Sequence, residues 1–185
     1  LTLLLVFLPL TETDAQEARR RWEWMCQIRS DKFDLVLPEV MRENGIDMWI
    51  TTVREGDYGP LYEDLGRGYP SSLGFYVFTD RGGDRIERAA WGVGGDWLEE
   101  GGVYDIVTGS TDLASFVSER DPGRIGVNMS PNIGAADGLS HTSYEAIVDQ
   151  LGDRYRSRLV SAEKLVSDFR SRRVTTEIAA FAEAG

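Results

Sequence analysis

Residues 44–53, Asn-Gly-Ile-Asp-Met-Trp-Ile-Thr-Thr-Val, constrain the fold more than any other stretch. Gly45 stops the charged, amphipathic segment before it, because Asn and Gly both tolerate the left-handed conformation that ends a helix. A nearly continuous apolar run follows: Ile46, Met48, Trp49, Ile50 and Val53. Such a run reads as a strand buried on both faces, as in a sheet with helices on either side.

The preceding segment supports this reading. Phe33, Val36, Leu37, Val40 and Met41 recur at steps that place them on one face of a helix. Pro38 lies inside the pattern, lacks an amide donor, and is expected to kink or restart the helix. Further upstream, residues 17–29 are charged with embedded aromatics. They predict a helix with Trp24, Met25 and Ile28 on one side.

Downstream, residues 54–72 are polar and rich in glycine and proline, with room for a short helix at Leu61, Tyr62 and Leu65. Residues 73–78 and 86–93 predict two strands. The turn Asp80-Arg81-Gly82-Gly83 joins them as an antiparallel hairpin. Residues 97–102 read as an exposed loop, and Tyr104, Ile106 and Val107 as a short edge strand. Leu113, Phe116 and Val117 mark a helix that ends before Pro122, and residues 124–128 a strand. Thr142 and Glu145 form a capping box for a helix with Tyr144, Ile147, Val148 and Leu151 inward and Gly152 as its stop. Residues 158–160 predict a last short strand. Ser161 caps a helix with Leu165, Val166 and Phe169 inward, and a final helix begins at Thr175 with Ile178 and Phe181 on one side.

Helices alternating with strands around a central hairpin predict an α/β fold, a mixed β-sheet flanked by α-helices. At 185 residues the chain suits one domain with a real core. The formal net charge is -11, and only Lys32 and Lys164 are lysines. That balance disfavours non-specific nucleic-acid binding, which needs positive charge against phosphates. Residues 1–10, Leu-Thr-Leu-Leu-Leu-Val-Phe-Leu-Pro-Leu, are too few to span a bilayer. Residues 1–16 read as a secretory signal remnant, with Thr13-Asp14-Ala15 a tolerable cleavage site, or as a disordered apolar tail. Export and a cytoplasmic location both stay open.

Local chemistry is sparse. Cys26 is the single cysteine, which excludes an internal disulfide, and it reads as a small buried hydrophobe. His141 is the single histidine and has no partner at a metal-ligand spacing, so it reads as a loop residue before a helix cap. Residues 92–95 and 101–102 are glycine-rich but lack the lysine and hydroxyl of a phosphate-binding loop. Asn128-Met129-Ser130 matches a glycosylation acceptor, a pattern common by chance. Residues 170–173, Arg-Ser-Arg-Arg, form a basic patch that reads as solvated or as a domain contact. The remaining candidates are Arg54, Glu55, Asp57 and Tyr58, directly beyond the first strand, where loops of open α/β sheets recruit functional residues. Glu55 and Asp57 are the best paired carboxylates. A substrate or interface role suits them better than catalysis, which demands a defined geometry.

Several stretches together resemble a known family. Lys32-Phe33-Asp34-Leu35-Val36-Leu37-Pro38 and Met41-Arg42-Glu43-Asn44-Gly45-Ile46-Asp47-Met48-Trp49-Ile50 resemble the amino-terminal domain of creatinase and prolidase-like proteins, in the Xaa-Pro aminopeptidase branch of the pita-bread metallopeptidases. Arg124-Ile125-Gly126-Val127-Asn128, Ala136-Asp137-Gly138-Leu139 and Arg158-Leu159-Val160-Ser161-Ala162-Glu163 fit the same domain in order and spacing. Thr175-Thr176-Glu177-Ile178 resembles the entry to that family's catalytic domain, with Thr176 where proline is usual.

The resemblance implies a creatinase/prolidase-type amino-terminal lobe over residues 17–170. Residues 171–185 would then lead to a carboxy-terminal catalytic domain of the same chain. That second domain would hold two divalent metals (Mn, Co or Zn) through two aspartates, a histidine and two glutamates, none of which maps onto this sequence. The lobe itself would be non-catalytic. It would shape access of a peptide substrate at the domain interface and help build a homo-oligomer. The alternative is a stand-alone binding or protein-interaction domain without hydrolase activity.

Overall fold

The computed structural model describes residues 14–184. The apolar residues 1–10, and with them most of the expected signal remnant, lie outside the described residues. Six strands form one sheet in the order β4-β3-β2-β1-β5-β6. They are β1 (Met48–Arg54), β2 (Tyr69–Asp80), β3 (Ile86–Gly94), β4 (Ile106–Thr108), β5 (Ile125–Val127) and β6 (Leu159–Ser161). β2 runs antiparallel to both its neighbours, and the β1–β5, β5–β6 and β3–β4 pairs are parallel. The sheet is therefore mixed, and β2 alone points against the rest.

The helices are α1 (Asp14–Leu35), α2 (Leu37–Glu43), α3 (Tyr62–Leu65), α4 (Asp96–Glu100), α5 (Leu113–Arg120), α6 (His141–Arg156), α7 (Glu163–Ser171) and α8 (Thr175–Ala184). Two apolar layers hold them to the sheet. One contains Trp49, Val53, Tyr76 and Phe78 from the strands, with Phe33 from α1, Val40 and Met41 from α2 and Phe169 from α7. The other contains Met48, Ile50, Phe75 and Val77, with Phe116 from α5 and Ile147 and Leu151 from α6. Alternate residues of β1 thus feed opposite layers, as the pleat requires. Met48 through Val53 are all buried, so the doubly covered strand is borne out.

Pro38 restarts the chain instead of bending it. α1 ends at Leu35, and Pro38 occupies the first turn of α2, where its missing donor costs nothing. Ile28 and Phe33 of α1 are buried, but Met25 is 42% exposed and so does not join the inward face expected for it. The last residues of the expected tail, 14–16, form the first turn of α1.

Other boundaries move for identifiable reasons. β2 begins at Tyr69, four residues before the expected start, with a register shift against β3 between Pro70 and Phe75. Residues 97–102 are not a plain loop, because α4 buries Leu98 among the core side chains. The cap of α6 is Ser140, whose Oγ accepts the Ser143 amide at 3.1 Å, so the helix starts before Thr142. Gly152 breaks the helical dihedrals (φ 66°, ψ 179°) and divides α6 at a kink, as expected of a stop, and a second helical stretch beyond it buries Tyr155 in the second layer. β6 is shifted one residue from its expected position.

α8 folds back on the domain. Thr176 Oγ1 donates to Asp31 at 2.7 Å, and Lys32 faces Glu177 at 3.8 Å. The basic patch is consumed in the same packing. Arg170 pairs with Asp64, Arg172 with Glu39 and Glu43, and Arg173 with Glu177. Ile178 and Phe181 do share one side of α8, but both are more than half exposed.

Candidate functional site

The carboxyl ends of β1, β5 and β6 lie on one edge of the sheet, because the three strands are parallel. The segments that leave this edge include 54–61, 128–140 and the start of α7. β1 carries its buried register up to Val53, and then Arg54 and Asp57 close a tight turn. The Arg54 amide donates to the Asp57 carbonyl at 2.9 Å, and the Asp57 amide returns to Arg54 at 3.0 Å. Gly56 sits at φ 77°, a conformation this turn requires and side chains resist. Pro60 meets the 128–140 segment, since a Cβ on Gly138 would lie 2.7 Å from its Cδ.

The four residues singled out in the sequence therefore share one turn. Glu55 and Asp57 are exposed, and Arg54 and Tyr58 are half-buried. Tyr58 stacks on Tyr62 with ring centroids 4.4 Å apart. Asp57 Oδ1 accepts its own loop's Gly59 amide at 3.4 Å. The two carboxylates make no hydrogen bond to one another, to a histidine or to a buried donor, so nothing here assembles a general acid and base. Arg54 is different. Its guanidinium has no side-chain or carbonyl partner among the described residues, whereas those of Arg42, Arg67 and Arg158 are paired. The turn offers one unpaired guanidinium and, at Tyr58, one member of a stacked aromatic pair.

Other sequence candidates resolve into structural roles. Asn128 is 2% exposed, so it cannot serve as a glycosylation acceptor. Its amide instead links Trp49 to Thr51 inside the core. His141 is exposed in the first turn of α6. Among the described residues, no three His, Cys, Asp or Glu side chains cluster so as to hold a metal ion. The donor set here does not fit the two-metal centre that the family resemblance implies, and no chemical step of this chain is assigned to one. No helix among the described residues is long and apolar enough to cross a membrane.

A second feature escaped sequence reasoning. A cavity of about 440 Å³ opens between α1, α4 and the α3–β2 connection. Trp22 and Trp97 meet edge to face in its wall, with ring centroids 5.0 Å apart. Arg19 bridges to Glu100 at 2.8 Å and ties α1 to α4 alongside. Cys26 lines the same space, half-buried, and burial pushes its thiol pKa up, which makes it a poor nucleophile. Arg29 also lines it and is 8% exposed. The sequence signal was present but divided, with Trp22 in a charged helix and Trp97 in an apparent loop. Only the packing of α4 on α1 joins them.

Comparison of the chain with family models, with curated proteins and with solved structures returns no match.

Proposed function

We propose that this chain is the non-catalytic amino-terminal lobe of an Xaa-Pro peptidase-like metallohydrolase of the creatinase/prolidase type. In that role it shapes substrate access and contributes to dimerisation. The reading rests on the ordered resemblance of the stretches quoted above, and a mixed sheet flanked by helices is compatible with it. The single structural observation that favours a contact role is the unpartnered Arg54 guanidinium at the carboxyl end of β1. A guanidinium in such a place is suited to a peptide carboxylate or to an acidic partner surface. The metal chemistry of the reading belongs to the second domain and not to the residues described here.

The coding sequence beyond Gly185 provides the first test. The expected continuation is a domain-sized stretch with two aspartates, a histidine and two glutamates. The longer protein should cleave Xaa-Pro dipeptides with added manganese, and a chelator should abolish the activity. The 185-residue chain alone should be inactive. A continuation without those ligands, or a metal-loaded protein that leaves such peptides intact, would overturn the proposal. A stand-alone binding domain is the second reading. The return of α8 onto α1 through Thr176–Asp31 and Lys32–Glu177 favours it, because α8 then docks on this domain through polar contacts of its own.

A further inference from the structure

We infer that the cavity between α1 and α4 binds a small amphipathic carboxylate, its anionic head on Arg29 and its apolar body between Trp22 and Trp97. Arg29 carries the inference. The residue is nine-tenths buried and lines the cavity. Nε donates to the Asp64 carbonyl at 3.1 Å, and Nη2 to the Glu63 carbonyl at 2.9 Å. Nη1 finds only the Cys26 sulfur, at 3.9 Å. No carboxylate forms an ion pair with Arg29 among the described residues.

Its charged neighbours around the cavity are paired: Arg21 with Glu17 at 2.6 Å, and Arg67 with Glu63 at 2.8 Å. The nearby Asp64 carboxylate is held by Arg170 at 3.3 Å. The one buried cation of the cavity is thus the one without an anion. A buried charge normally carries a partner, because desolvation is costly and a thiol repays little of it.

The surroundings narrow the ligand class. A volume of about 440 Å³ fits a small molecule and not a folded partner. The aromatic wall favours an apolar body. The planar fork of a guanidinium matches a carboxylate. A dianionic phosphate is disfavoured by Glu63 in the lining and by the net charge of -11. That net charge also means that saturable anion binding must come from a local site and not from the general field. The site is separate from the Arg54 turn, so it does not depend on the peptidase reading.

N-acetyl-L-phenylalanine and its uncharged carboxamide are suitable probes, titrated into the 185-residue chain with ¹⁵N-labelled indole groups. The acid is expected to saturate and to shift the Trp22 and Trp97 indole signals while leaving Trp49 unmoved. The carboxamide should bind at least about tenfold more weakly. Arg29→Met should abolish the preference for the acid. Arg29 also braces α3, so Trp97→Ala supplies a variant on an exposed side chain. It should unfold cooperatively like the parent, at a somewhat lower midpoint because the Trp22 contact is lost, and weaken the acid by about tenfold. Equal binding of acid and carboxamide, no saturation by the acid, or undiminished binding in Trp97→Ala would overturn the assignment.

Discussion

The indole N–H of Trp49 donates to the side-chain carbonyl of Asn128 at 2.8 Å, within an otherwise apolar layer. The Asn128 amide passes the connection on to Thr51 Oγ1 at 2.9 Å. Trp49 is fully buried and stacks on Phe78 with centroids 5.1 Å apart. One side chain therefore fills the centre of the first layer and satisfies a buried amide from the neighbouring connection.

Removing that side chain tests both contributions. Trp49→Ala is expected to cost about 3 kcal/mol or more through the cavity it leaves. Trp49→Phe keeps much of the volume but orphans the Asn128 oxygen, at a cost of about 1–3 kcal/mol. Denaturant unfolding measures both. A loss below about 1 kcal/mol for the alanine variant would place Trp49 outside the core.

β1 was legible because burial on both faces leaves a mark in the sequence itself: Met48, Trp49 and Ile50 are consecutive and apolar. The Asp80-Arg81-Gly82-Gly83 turn announced the hairpin in the same local way. α4 was not legible, because five residues flanked by glycines carry too short a pattern. Leu98 and the Arg19–Glu100 bridge hold it from outside. The Gly152 break was legible because glycine readily adopts its φ of 66°, while the helical stretch beyond it, which buries Tyr155, was not. The Arg54 turn could be placed from its position after β1. The burial of Arg29 could not, since the carbonyls that receive it lie 34 and 35 residues further along the chain.

The Arg42–Asp80 fork predicts a defined pH response. Arg42 donates from Nε and Nη2 to the two Asp80 oxygens at 2.7 and 3.0 Å, and the Gly82 amide adds a third bond at 2.9 Å. The Arg42 guanidinium, chiefly, holds the Asp80 carboxyl below its usual 3.8. A carboxylate with a depressed folded pKa stabilises the fold above its unfolded value, and loses that contribution as pH falls through the folded value. Asp80→Asn should therefore lower the unfolding midpoint near neutral pH, modestly because Arg42 is solvent-screened. In acid well below 3.8 the variant and parent should converge. A deficit that persists unchanged into acid would show that the carboxylate charge is not its source.

Gly74 marks a place where two strands leave no room. A Cβ there would lie 2.4 Å from Val93 Cγ2 and 2.8 Å from the Gly92 carbonyl oxygen. The second contact is with backbone, which cannot rotate away. Gly74→Ala is expected to destabilise by about 1–3 kcal/mol through overpacking. Gly94→Ala, in the same hairpin with nothing within 4 Å of its Cβ, serves as the control. Equal unfolding midpoints for the two variants would mean that β2 and β3 separate more easily than the register implies.

Arg54 separates a contact role from a structural one. Its side chain has no partner among the described residues, so Arg54→Ala should leave the stability of the 185-residue chain within about 0.5 kcal/mol of the parent. In a longer protein with peptidase activity, the same change should raise KM for a peptide with a free carboxylate and leave kcat nearly unchanged, the pattern of a lost binding contact. Asp57→Ala, in the same turn, is expected to be similarly neutral for folding, because the one hydrogen bond of its side chain is long at 3.4 Å. Thermal unfolding checks the first part, and steady-state kinetics the second. A large loss of stability in Arg54→Ala would make the guanidinium a brace for the turn. An unchanged KM would remove it from the path of the substrate.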